Sequence, residues 1–207
     1  MTLPGIDMEP ALDRLALSQW HTPQALALRM AKWAGGAIRL SRILEPSAGG
    51  GALVRAAIEC EAKAGAIDAI ELDPRWATKL RDIGGGLRIE NRDYLVRPAR
   101  DHRYDLCLQN PPYEGGMDGR FLGKAMDESD RVIALVRTVA LHGDERFRTV
   151  WRRCQADGDF ALIGLAILSA RPDFGGEHSA MADFCVVKLA RRSLRLAEQT
   201  GTHVEWW

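Results

Sequence analysis

Short apolar runs alternate with stretches of helical pattern along this 207-residue chain, and the first four runs each lead to a polar or acidic residue. Those runs are "SRILEP", "AIDAIELDP", "LRIENRDY" and "RYDLCLQN". "SAGGGALVRAAIECEAKAG" begins as a glycine turn and continues as a helix to about Gly65, and "RWATKLRDIGGG" is a short helix with a glycine stop. A leading helix is predicted in "HTPQALALRMAKWAGG", with Thr22 as N-cap, Pro23 at the first helical position and Leu26, Met30 and Trp33 on one face. Further on, "GRFLGKAMDES" reads as a helix and "RVIALVR" as a fifth strand. "DERFRTVWRRC" reads as one helix with Phe147 and Trp151 a turn apart. "DFALIGLAIL" and "ADFCVVKLA" read as two late strands. The alternation predicts an α/β fold: a Rossmann-like, doubly wound, mostly parallel seven-stranded sheet. The late pair has no helix between its members and predicts an antiparallel hairpin at one edge.

One domain over residues 1–207 is expected, with residues 1–20 as an N-terminal extension. No apolar run reaches membrane-spanning length, and "MTLPGIDMEP" lacks the pattern of a signal peptide, so a cytoplasmic protein is expected. Cys60, Cys107, Cys154 and Cys185 lie far apart with no CxxC pair, which favours free thiols over a zinc site. The formal net charge is zero, which argues against holding nucleic acid by bulk charge. Only five of the 28 basic residues are lysines, and Arg146, Arg148, Arg152, Arg153, Arg171, Arg191, Arg192 and Arg195 lie in the second half. They form either a local phosphate-binding face or an ordinary solvated surface.

In "LEPSAGGGAL" a strand ends at Glu45, glycines follow and a helix begins, so a ligand can approach the backbone closely at a positive helix end. Glu71 and Asp73 end the next strand, about 20 residues beyond Gly51, where a carboxylate can accept bonds from ribose hydroxyls. Asp93 follows the third strand, where it can meet an adenine amine. Neither Gly-x-Gly-x-x-Gly nor Gly-Lys-Ser/Thr is present. Three acidic groups aimed at one crevice suit a cationic, hydroxyl-rich ligand better than a polyphosphate, and S-adenosylmethionine fits.

"LCLQNPPYEGG" then ends the fourth run in a stiff bend. Pro111 and Pro112 remove two backbone donors, and Asn110, standing before a proline, is pushed out of the α region. In order, Thr22-Pro23, "EPSAGGGAL", "IELDP", "NRDY" and "QNPPY" resemble the class I S-adenosylmethionine-dependent amino-methyltransferases. The resemblance is to the DNA adenine-N6 enzymes in particular, of the short stand-alone type found in phages and mobile elements. It is strong over about residues 20–115 and looser to about 190.

The resemblance implies that Thr22 and Pro23 cover the methionine end of the cofactor. Glu45, Pro46, Ala48, Gly49 and Gly51 would cradle it. Glu71, with Leu72 beside it, would take the ribose, and Asp93, with Tyr94, the adenine. Asn110, Pro111, Pro112 and Tyr113 would form the catalytic motif. The Asn110 side-chain oxygen and the Pro111 carbonyl would accept the two hydrogens of a target amine, freeing its lone pair. Tyr113 would stack on a base flipped out of double-stranded DNA. No metal is implied.

The motif's chemistry equally suits an RNA base or a protein glutamine amide, and a non-catalytic methyltransferase-like subunit is a third reading. The chain leaves little room for a separate target-recognition domain. Recognition is therefore expected from "YEGGMDGRFLGK", "LHGDERFRTVWRR" and "RPDFGGEHSAM". His21 reads as a helix-entry residue or a cofactor contact, and Trp206-Trp207 as a docking patch or a packed terminus.

Overall fold

The computed structural model describes residues 20–174, 182–194 and 201–207. The predicted N-terminal extension up to residue 19, the segment "GGEHSAM" and Arg195 lie outside them. Five parallel strands run in the order β3 (Arg88–Asn91), β2 (Ile67–Glu71), β1 (Ile43–Glu45), β4 (Leu106–Gln109) and β5 (Arg131–Arg137). β7 (Phe184–Arg191) lies antiparallel between β5 and β6 (Phe160–Ile167). The doubly wound α/β fold is as expected, but the sheet has eight strands rather than seven. The short β8 (His203–Trp206) pairs in parallel with β6, so β8 forms the edge and the hairpin does not.

Both faces of the sheet are covered. Ile43, Ile67 and Leu108 pack with Met30 of α1 (Gln24–Trp33) and Leu53 of α2 (Ala52–Glu59). Leu44, Ile70 and Cys107 pack with Phe121 and Leu122 of α4 (Met117–Glu128) on the other face. α3 (Pro74–Arg81) follows β2. β1 and β2 are buried along their whole length, and Asp68, inside β2, is buried with them as acceptor of the Tyr104 hydroxyl at 2.7 Å. Each fully buried Leu or Ile contributes about 1.5–3 kcal/mol. Among the described residues no helix is long and apolar enough to cross a membrane.

Two local expectations fail for tertiary reasons. Pro23, not Thr22, is the N-cap of α1, and no side chain caps that end. The Thr22 hydroxyl is instead drawn to Asn110. The helix expected through Trp151 stops early, so α5 covers only Asp144–Thr149. Val150 leaves helical geometry (φ −125°, ψ −64°), and Trp151 turns inward so that its Nε1 donates to the Ala140 carbonyl at 2.8 Å. Phe147 is left exposed while Trp151 is buried.

Candidate functional site

The strand order reverses between β1 and β4, and the crevice at the carboxyl ends of these strands is where such sheets bind ligands. β1 feeds the glycine turn. The Ala48 amide donates to the Ile70 carbonyl at 2.9 Å and the Gly51 amide to the Ala48 carbonyl at 2.7 Å, closing the turn against β2. Gly51, the N-cap of α2, has φ +81°. A Cβ there would stand 2.8 Å from the Leu80 side chain and 2.7 Å from that of Ile83, so only glycine fits.

Two carboxylates brace the turn from below. Glu71 accepts from the Gly49 and Asp73 amides, each at 2.7 Å, and so ties the turn after β1 to the turn after β2. Burial raises its pKa. Asp73 caps α3 through the Arg75 amide at 2.8 Å. Glu45 is 2% exposed. Its Oε1 accepts from the Ser47 amide at 3.1 Å, while its Oε2 is buried without a partner. Burial, assisted by the charge of Glu71, pushes the Glu45 carboxyl up to about 8.

Asn110 stands at the end of β4 with its amide held on three sides. Its Nδ2 donates to the Trp20 carbonyl at 2.8 Å and to the Thr22 hydroxyl at 3.0 Å. Its Oδ1 accepts the Tyr113 hydroxyl. Because the Trp20 carbonyl can only accept, the NH2 must face it and the oxygen must face the other way. The Ser47 hydroxyl donates to the Asn110 carbonyl at 3.0 Å, joining the asparagine to the glycine turn.

Two adjoining cavities, of about 270 and 310 Å³, share Asn110, Ser47, Gly49, Trp20 and His21 in their walls. The first is also lined by Pro46, Glu71, Leu72, Asp93, Tyr94 and Pro112. The second is also lined by Thr22, Glu45 and Ala48. The remaining sequence-predicted residues, Pro23, Gly51, Pro111 and Tyr113, are not in these walls. The Tyr113 ring is turned into the interior, 3% exposed and edge-on to Phe184 at 5.3 Å. Arg137 donates to the Tyr113 carbonyl and stands over its ring.

Several residues of the walls, and of the segments that carry wall residues, were not singled out from the sequence. Trp76 stacks edge-on against His21 at 4.3 Å above the glycine turn. The adjacency of His21 to Thr22 was the only signal for that pair. Lys124 of α4 gathers the segment after β3, its Nζ donating to the carbonyls of Tyr94 at 2.7 Å, Leu95 at 3.3 Å and Arg97. Beside it the buried Arg97 and Glu128 pair at 2.6 Å. Nothing in the spacing marks this brace. The late arginines are mostly neutralised: Arg146 pairs with Asp118, Arg152 with Asp157, and Arg153 and Arg191 both with Asp159. A solvated, ion-paired surface therefore describes them better than a basic face.

The α/β fold, with its mostly parallel sheet and antiparallel late strands, is shared with solved methyltransferase structures. A candidate RNA methyltransferase from Pyrococcus horikoshii matches with a TM-score of 0.67 at 18% identity, over 86% of this chain and 89% of its own. A candidate class I S-adenosylmethionine-dependent methyltransferase from Listeria monocytogenes matches with a TM-score of 0.73 at 11% identity, over 92% of this chain and 66% of its own. The modification subunit of a candidate type I restriction enzyme from Vibrio vulnificus matches at 0.66 and 17%, over 86% of this chain. The match spans 46% of that subunit's length. No protein-family model matches the sequence, and no curated protein matches it.

Proposed function

We propose that this protein transfers a methyl group from S-adenosylmethionine to the exocyclic N6 amine of adenine in DNA. The observation that carries the reading is the position of Asn110, a residue of both cavity walls whose amide orientation is set by Trp20 and Thr22. The residues present suit the cofactor. The buried, partnerless Glu45 oxygen can meet an ammonium, Glu71 and Asp93 offer acceptors for ribose and adenine, and the glycine turn admits close approach. When bound, S-adenosylmethionine supplies a methyl group on a sulfonium, already activated for displacement.

The chain's part is to make a poor nucleophile competent. The lone pair of an adenine amine is delocalised into its ring. Asn110 Oδ1, which keeps a second acceptor position beside the Tyr113 hydroxyl, would take one of the amine's hydrogens, and the Pro111 carbonyl, outside the cavity walls in this state, would take the other as the motif implies, turning the lone pair outward. Positive charge grows on that nitrogen as the new bond forms, so both acceptors bind the transition state better than the ground state. The methylated nitrogen then sheds its proton to water.

The choice of DNA rests on the ordered motifs that include Thr22-Pro23 ahead of the glycine turn, since the neighbours span RNA and restriction-modification enzymes. The deciding experiment is tritium transfer from labelled cofactor to unmethylated DNA, total RNA and a protein extract in parallel, followed by nucleoside digestion. Label recovered as N6-methyladenine from DNA is the expected result. Label in RNA or protein keeps the chemistry and moves the substrate. Cofactor binding without label in any arm leaves a non-catalytic subunit.

A further inference from the structure

Most surface arginines of the described residues end on a carboxylate, but Arg55 does not. It is exposed, on α2 one turn beyond Gly51, and makes no ion pair or hydrogen bond through its side chain. Helical side chains lean toward the helix N-terminus. Arg55 accordingly folds back over the glycine turn, with Nη1 3.3 Å from where a Cβ on Gly51 would stand. It thereby joins the wall of the second cavity.

Glu45 stands in the same wall, almost wholly buried, with one carboxylate oxygen lacking a partner. One cavity therefore carries an unpaired cation and an incompletely satisfied acid that do not neutralise one another. Thr22 and the first residues of α2, Ala52 and Leu53, belong to the same wall. A simple cation would use only the acid, and a simple anion only the arginine and the helix end. A zwitterionic α-amino acid end uses both.

We propose that Arg55 binds the carboxylate of the cofactor's amino-acid end, with Glu45 taking its ammonium, so that this cavity is a receptor for the zwitterion. The inference rests on the cofactor reading above and adds a residue that the sequence motifs do not contain. A guanidinium suits the task because its planar fork matches a carboxylate.

The test is calorimetric titration of the full chain with two adenosine thioethers that differ at one end. S-adenosylhomocysteine carries the amino acid; 5′-methylthioadenosine lacks it. Arg55→Met should weaken S-adenosylhomocysteine about ten- to a hundred-fold, the range of a charged hydrogen-bonded contact, and methylthioadenosine less than about two-fold. Arg55→Lys should recover part of the loss. Unchanged affinity for S-adenosylhomocysteine, or an equal loss for both ligands, would overturn the assignment of Arg55 while leaving the cofactor reading intact. A wild-type protein that binds neither ligand overturns both.

Discussion

The side-chain oxygen of Asn110 accepts the hydroxyl of Tyr113, so the motif's tyrosine is spent in this state on its own asparagine. The ring lies in the core against Phe184 rather than across a cavity mouth. Tyr113→Phe keeps the ring and removes one of the two groups that compete for Asn110 Oδ1. We expect it to cost about 1–3 kcal/mol of stability by leaving a buried acceptor short of a donor. Turnover at saturating substrate should stay at or above the wild-type value. A tenfold loss of turnover with normal cofactor affinity would give the hydroxyl a chemical role.

Asn110→Ala removes the acceptor itself. Turnover should fall by about two or more orders of magnitude, comparable to losing a fixed transition-state hydrogen-bond partner. Cofactor affinity should remain within a few-fold. Single-turnover methyl transfer alongside calorimetry separates the two effects, and full activity in this variant would remove Asn110 from the chemistry.

Glu71→Ala strips the common acceptor from the Gly49 and Asp73 amides. Both turns then loosen, and cofactor affinity should drop about ten-fold or more, with a lower melting temperature. Glu71→Gln retains a side-chain oxygen and should keep part of both. Equal affinities in all three proteins would show that neither the turn bracing nor a ribose contact matters to binding.

Glu45 gives a signed pH dependence. Its carboxyl is raised from 4.5 to about 8, by burial first and by Glu71 second, against the opposing Ser47 amide. Between those values the folded chain holds a proton that the unfolded chain has released, so stability falls as pH rises. The contribution is fully present below pH 4.5 and is lost as pH passes 8. Glu71 and Glu128 shift in the same direction, and Cys107 is the other titratable group coupled to Glu45. Melting temperature without cofactor should therefore decline from about pH 5 to pH 8, less steeply in Glu45→Gln. An ammonium favours the ionised acid, so cofactor binding near pH 7 should release a proton. The calorimetric heat should then vary with the buffer's ionisation enthalpy in the wild type but not in Glu45→Gln.

Lys124 holds three carbonyls of the segment that carries Asp93 and Tyr94 to the first cavity. Lys124→Met fills much of the same space without the donors. It should cost about 1–3 kcal/mol and increase hydrogen exchange at residues 94–97 before the rest of the sheet. Uniform exchange across the sheet would mean that the brace is not local.

The sequence alone determined the strand and helix alternation, the parallel arrangement, the glycine turn and the acids that end β1 and β2. Each is a local property. Apolar runs, proline and glycine positions and strand-end carboxylates act through the backbone conformations and periodicities of the residues that bear them. Tertiary structure decided what those residues touch. β8 exists because four residues after Thr202 find the free edge of β6, and their own pattern is too short to announce a strand. Thr22 reads as a helix cap, yet a stronger use for its hydroxyl, on Asn110, lies 88 positions away. α5 ends at Thr149 because burying Trp151 outweighs continuing the helix. The Tyr113 ring, named by its motif, is seated by Phe184, a contact that no spacing encodes. Side-chain contacts across long sequence separations depend on how the elements pack, and packing is fixed only when the whole sheet has closed around its two apolar faces.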